Sequence, residues 1–215
     1  MPSLTNIPRT TFLIAFLMAL HLGLPLYVNS SFLGSVIDEK FVGILFTIGA
    51  TLTLILYAFI PKLLTRFGNH ALIATILGVN FVILFFLPHL SPPLLVVLLF
   101  TLYLSTSRLL PFHYDIFVER LSTDETTGGI RGLYFTALNL GILVSPLISG
   151  LLVDEQIFWK VYLLTSILTI PLLALTRHTF KHFADPHYPH IPYFSALRSL
   201  MRRSNLRNIF FASFL

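Results

Sequence analysis

Arg131-Gly-Leu-Tyr-Phe-Thr-Ala-Leu-Asn-Leu-Gly-Ile-Leu-Val-Ser-Pro-Leu-Ile-Ser-Gly150 is the stretch that decides how the chain is read. It is apolar over about 20 residues, the length a helix needs to cross a bilayer, yet it contains Gly132, Gly141, Pro146, Ser149 and Gly150. In a water-soluble helix each interior glycine costs about 1 kcal/mol and a proline about 3 kcal/mol. In lipid the same residues have a use. Small side chains let neighbouring backbones approach closely, and other helices re-satisfy the carbonyl that a proline frees. The stretch predicts a spanning helix packed tightly on its neighbours.

Composition extends this reading to the whole chain. Hydrophobic residues make up 55% and charged residues 11%, with a mean hydropathy of +0.84. A soluble domain carries roughly 25% charge, so this inventory cannot clothe a water-facing surface, and a polytopic all-α membrane protein is expected. Zero cysteines exclude disulfides and thiolate metal sites. Apolar runs fall near 10–30, 41–60, 70–88, 93–117, 130–152 and 158–177, each separated by a short polar or proline-marked joint. The first follows a single Arg9 and lacks a small-residue cleavage site, so it reads as a retained helix rather than a removed signal. The expected organisation is a six-helix bundle over 1–180, a basic connector over 181–207, and at 208–215 the start of a seventh span that is cut short.

The net charge of +5 is explained by topology. With the N-terminus inside, Arg9, Lys62, Arg66, Arg120, Arg131, Arg177, Lys181, Arg198, Arg202, Arg203 and Arg207 all fall on the inner side, and Lys40 and Lys160 on the outer. That asymmetry follows the positive-inside rule and places the N-terminus in the cytoplasm, in a plasma (inner) membrane. Over 193–208 the connector alternates Leu197, Leu200, Met201 and Leu206 with four arginines, the pattern of a short amphipathic helix on an anionic leaflet. No aromatic platform accompanies the arginines, so nucleic acid is not an expected partner.

The spacing Gly-x8-Gly-x3-Ser-Pro-x2-Ser-Gly over 132–150 resembles the fifth-helix signature of the major facilitator superfamily, where Gly-x8-Gly-x3-Gly-Pro-x2-Gly-Gly is usual. Ser145 and Ser149 depart from it but keep small side chains. The joint Pro61-Lys-Leu-Leu-Thr-Arg-Phe-Gly-Asn-His70 is similar to the family's Gly-x3-Asp-Arg-x-Gly-Arg-Arg gating loop at Arg66 and Gly68. Pro61, Thr65, Asn69 and His70 stand where glycine, aspartate and two basic residues are usual. Losing the aspartate removes an anionic partner, so any latch here is weaker or made differently. The alternative is an ordinary turn, with Gly68 stopping a helix and Lys62 and Arg66 as topology charges. The resemblance covers nearly the whole chain. It implies the N-terminal half of a transporter, with two inverted three-helix repeats around a midplane site for a small-molecule substrate. The other half, or a second copy, would complete it, and no cofactor is implied.

Several residues could line such a path. Arg108 lies inside the fourth span, where a cation costs about 2.5–3.5 kcal/mol on insertion scales, so it should face a cavity or a partner unless it snorkels to the interface. Drug/proton antiporters of the superfamily often carry an arginine there that is implicated in proton coupling. Asp115 is seven positions on, about 10 Å along a continuous helix, either an ion partner or an interfacial charge. His21 at mid-depth can titrate near neutral pH or hydrogen-bond between helices. Asn139 reads as cavity-lining or as a packing amide. Gly132, Gly141, Pro146 and Gly150 form the helix-packing motif. His178 and His182, at i,i+4 in a histidine-rich stretch, are weak metal candidates against the plainer reading of a proline-broken connector. Thr126-Thr-Gly-Gly129 lacks the lysine and preceding strand of a phosphate loop, so ATP drive is not expected. The leading reading is secondary transport and no enzyme. The rivals are an intramembrane enzyme using His21, His113 and Asp115, and a six-helix scaffold without transport.

Overall fold

A backbone in lipid must satisfy its own N–H and C=O groups, and this chain does so with helices. The computed structural model describes residues 7–122, 125–154, 157–181, 183, 185–186, 188, 198 and 202–203. Eight α-helices follow in order: α1 (Ile7–Leu26), α2 (Asn29–Gly34), α3 (Val42–Phe67), α4 (Asn69–Phe86), α5 (Pro93–Ser107), α6 (Leu110–Leu121), α7 (Thr127–Leu152) and α8 (Trp159–Thr179). They make six segments long and apolar enough to cross a membrane: Pro8–Gly34, Glu39–Phe67, Asn69–His89, Pro93–Leu121, Thr127–Leu152 and Trp159–Thr179, here spans I to VI. The protein is an integral membrane protein with the six spans expected.

Two boundaries differ from the expectation. Span IV is not one continuous helix ending at 117. It runs to Leu121 and is broken between Ser107 and Leu110. Thr126-Thr-Gly-Gly129 is no loop either, because α7 begins at Thr127 and Gly128 and Gly129 lie in its first turn. Polar and glycine-rich composition suggested a joint, but backbone hydrogen bonding in the helix prevails there. The amphipathic helix expected over 193–208 and the apolar run from 209 fall almost entirely outside the described residues.

Breaks and joints have local causes. Span I is interrupted after Pro25, where Val28 donates its N–H back to the Pro25 carbonyl at 3.0 Å before α2 begins. At the turn before α3, Asp38 accepts from the Lys40 backbone N–H at 3.1 Å and pairs with the Lys40 ammonium at 2.7 Å. That bonding holds the Asp38 carboxyl below its ordinary range. Gly68, at φ +77°, separates α3 from α4, a conformation that L side chains rarely adopt.

Span I sits at the centre. α1 packs along α7 on one side and α8 on the other, α3 packs on α5, and α4 packs on α8 and α5. Without a hydrophobic drive between helices in lipid, close approach matters most. A Cβ on Gly141 would collide with Ala19 and lie 2.9 Å from the Phe16 carbonyl, and one on Gly23 would collide with Ser145. A Cβ on Gly49 would lie 2.6 Å from Leu104. Gly132 and Gly150 meet nothing among the described residues, so among those residues Gly141 is the member of the glycine motif that marks a helix crossing. Pro146 lies inside α7 beside Ser145. The outward surface is apolar, with Leu143 and Leu147 each 67% exposed and Leu151 87%, as lipid contact requires.

Two larger buried apolar clusters fill the bundle. One joins Leu24, Phe32, Leu84, Phe100 and Tyr162, and the other joins Met18, Leu77, Leu110, Tyr114 and Leu172. Buried polar residues gather where the two sets approach each other: His21 on α1, Asn80 on α4, Ser105 near the end of α5, and Thr165, Ser166 and Thr169 on α8. The bundle therefore carries a polar layer at mid-depth between two apolar ones.

Candidate functional site: the polar layer and the break in span IV

The break in span IV lies at the level of the polar layer. Pro111 begins α6 without an N–H to donate, and Arg108 caps α5. The Arg108 carbonyl is taken by the Tyr57 hydroxyl of α3 at 3.0 Å. The Tyr57 and Phe112 rings meet edge-on at 5.8 Å. Above the break, Ser105 Oγ donates to the Gly49 carbonyl at 3.1 Å and Thr106 Oγ1 to Asn80 Oδ1 at 2.8 Å. The broken helix is thus stitched to α3 and α4 by side chains, the way irregular backbone survives at membrane depth.

Arg108 itself is exposed, and among the described residues it forms no ion pair. Of the two readings of Asp115, the ion pair with Arg108 is not made among the described residues. The continuous-helix spacing behind it does not hold once α5 and α6 are separate helices. Asp115 instead faces the Arg131 guanidinium and the Tyr134 hydroxyl of α7, and its charge reaches Tyr57. The Tyr134 hydroxyl is directed at Asp115 but falls short of hydrogen-bond geometry. Asn139 is exposed on α7, its amide donating to the Phe135 carbonyl at 2.9 Å. Arg108, Asp115 and Asn139 are therefore polar groups on the outside of this six-span bundle.

His21 is placed elsewhere. It is fully buried, with Nδ1 2.9 Å from Thr169 Oγ1. Thr169 Oγ1 also lies 2.8 Å from the Thr165 carbonyl, so its single hydroxyl proton serves one of the two acceptors and the His21 tautomer follows that choice. His21 Nε2 and Asn80 Nδ2 are buried without a partner among the described residues. His113, the other buried histidine, meets Asn69 twice: Nδ1 to Oδ1 at 2.6 Å, and the Asn69 amide to the His113 carbonyl at 2.9 Å. The three residues of the enzyme alternative thus have separate settings. His21 is held from α8, His113 from α4, and Asp115 lies exposed beside α7.

At the turn between spans II and III, Arg66 is exposed with its guanidinium 5.2 Å from the Phe67 ring centroid. Gly68 N–H closes α3 on the Leu64 carbonyl at 2.9 Å. His178 is exposed in the last turn of α8, whereas His182 lies outside the described residues. Among the described residues no group of three His, Asp or Glu is spaced to hold a metal ion.

Sequence reasoning passed over Tyr57 and Asn80, and it read Asn69 only as a departure from a loop pattern and Asp185 only as a weak addition to the histidine-rich metal candidates; all four make structural contacts. An asparagine or tyrosine inside an apolar run was the available signal, since a polar group in lipid needs a partner. No protein-family model, curated protein or solved structure matches the chain.

Proposed function

We propose that the chain is a six-span half of a secondary transporter of the facilitator type, moving a small solute by alternating access. The observation that carries this reading is the pairing of the helices. Exchanging spans I, II and III for IV, V and VI maps the α1–α7 pair onto α5–α3, and the α1–α8 pair onto the packing of α4 with span IV. At the α1–α7 crossing Gly23 packs against the Ser145 side chain, and at the equivalent α5–α3 crossing Ser105 Oγ reaches the Gly49 carbonyl at 3.1 Å. Spans I and IV, equivalent under the exchange, are both interrupted beside a proline. Inverted repeats with broken helices at a midplane site are the architecture of such carriers.

In this reading Arg108 faces the translocation path, with Asp115 and Asn139 on the same outward side, while His21 acts as an interhelical bond. A second six-span unit, from a longer chain or a second copy, covers that face. The excess of basic residues on one side of the spans supports a cytoplasmic N-terminus and Arg66 turn, in a plasma or inner membrane on this reading. Neither the separated His21, His113 and Asp115 nor any other described cluster supports an intramembrane enzyme.

The absence of cysteine makes the test direct. In Asn139→Cys, a membrane-impermeant maleimide is applied to sealed vesicles of right-side-out and inverted orientation. Alternating access predicts labelling from both sides. Labelling from one side only, or from neither, refutes the transport reading and favours a static scaffold.

A further inference from the structure

The turn between spans II and III lacks a carboxylate of its own: Thr65, Gly68 and Asn69 occupy it. The first N–H of α4, on Asn69, has no partner within its own helix. In the structure that N–H donates to Asp185 Oδ1 at 2.8 Å, from 116 residues away. Asp185 Oδ2 lies against Gly68, in the space that a Cβ would fill. The Tyr188 hydroxyl donates to Asp185 Oδ1 at 2.6 Å, and partial burial together with the Asp185 charge pushes the Tyr188 hydroxyl above the ordinary tyrosine range, so it stays a donor.

The path of the chain to this point is also held. Phe180 stacks on Phe117 of α6 at 3.6 Å between ring centroids, and Phe183 meets Phe117 edge-on at 4.7 Å. Tyr188 packs against the cluster of Ile60, Leu64 and Leu109. Phe180 and Phe183 therefore lie against α6, and Asp185 and Tyr188 against the end of α3. Its carboxylate is also one residue from a second clamp, because the Asn69 side chain is the one gripped by His113 of α6.

We propose that the Gly68–Asn69 turn is a carboxylate-binding site, occupied in cis by Asp185, which straps the segment after span VI across span IV onto the start of span III. Charge and shape both select a carboxylate. The positive end of the α4 dipole and an orphan N–H favour an anion, and the missing glycine side chain admits one Asp oxygen. Asn69 joins the two ends of the strap's contacts, because its backbone N–H meets Asp185 and its side chain meets His113 of span IV. A carboxylate from another segment or subunit could take the site only by displacing Asp185. This inference rests on the observed contacts and stands whether or not the chain transports.

Hydrogen exchange with mass spectrometry on the full chain, following peptides over 64–72, tests it. Asp185→Ala should speed exchange at Asn69 about tenfold, the scale of one charge-assisted bond, with the α7 peptides unchanged as the check on folding. Asp185→Asn, whose side-chain oxygen still accepts, should show a smaller rise, and Tyr188→Phe a partial one. Acetate at high concentration should restore protection in Asp185→Ala where chloride at equal ionic strength does not. Unchanged exchange in both Asp185→Ala and Tyr188→Phe overturns the cis occupant. Faster exchange with no difference between acetate and chloride overturns the carboxylate site.

Discussion

Gly141→Ala offers a quantitative test of how the bundle is held. The added Cβ meets the Ala19 Cβ and sits 2.9 Å from the Phe16 carbonyl oxygen and 3.4 Å from the Leu20 nitrogen. Two of these three neighbours are backbone and cannot rotate aside. Overpacking of this kind costs about 1–3 kcal/mol, and the backbone contacts place it in the upper half of that range. Alanine returns about 1 kcal/mol of helix propensity over glycine. The net is a loss of about 1–2 kcal/mol at the α1–α7 crossing. For a chain of this size 1 kcal/mol moves Tm by about 2–4 °C, so a fall of about 2–8 °C is expected in detergent micelles, followed by circular dichroism. Gly132→Ala and Gly150→Ala meet nothing within 4 Å, so each should leave Tm unchanged or raise it slightly. Adding Ala19→Gly to Gly141→Ala removes one collision but not the Phe16 contact, so the double variant should be less damaged than the two single losses summed, by at least about 0.5 kcal/mol. Equal Tm values for Gly141→Ala, Gly132→Ala and Gly150→Ala would refute the reasoning.

Two further outcomes follow from named contacts. Asn69→Ala removes both bonds to His113 and leaves a buried imidazole nitrogen without a partner, a cost of about 1–3 kcal/mol per buried group; thermal unfolding should show the loss, and Asn69→Asp, which keeps an acceptor but no amide donor, should recover part of it. Tyr188, raised above its free value, contributes its bond to Asp185 fully below pH ~10, and the contribution is lost as pH rises through the folded value. Difference absorbance against Tyr188→Phe should show it titrating late, and earlier in Asp185→Ala.

How much of this was legible in the sequence varies by the range of the interaction. Spans are a local property of composition, so all six could be read from apolar runs. The close crossing at Gly141 could be read too, because a glycine inside a long apolar run has few other uses. Pro111 was visible, but the fourth apolar run reads as continuous, and only the structure shows that the proline starts a second helix instead of kinking the first. Partners are a different matter. The Thr169 hydroxyl that holds His21 is 148 residues away, and the Asp185 carboxylate that meets Asn69 is 116 away. Nothing in a residue's neighbours along the chain specifies such a pairing. That the turn between spans II and III has no carboxylate of its own was legible, but the Asp185 that meets it was not.

The polar atoms of span I have a consequence for how the protein is made. His21 is bonded to Thr169, the Leu24 carbonyl accepts from Ser149 Oγ at 2.9 Å, and Asn29 Oδ1 accepts from Tyr162 at 2.9 Å. Every one of those partners lies more than 120 residues downstream. At a synthesis rate of about 5–20 residues per second, span I waits roughly 7–30 s for Thr169 to be added. The first of the six spans to leave the ribosome is therefore among the last of them to find its bonds. Until spans V and VI arrive, its histidine and open carbonyl need shelter from lipid, in the insertion machinery or in water at the bilayer edge.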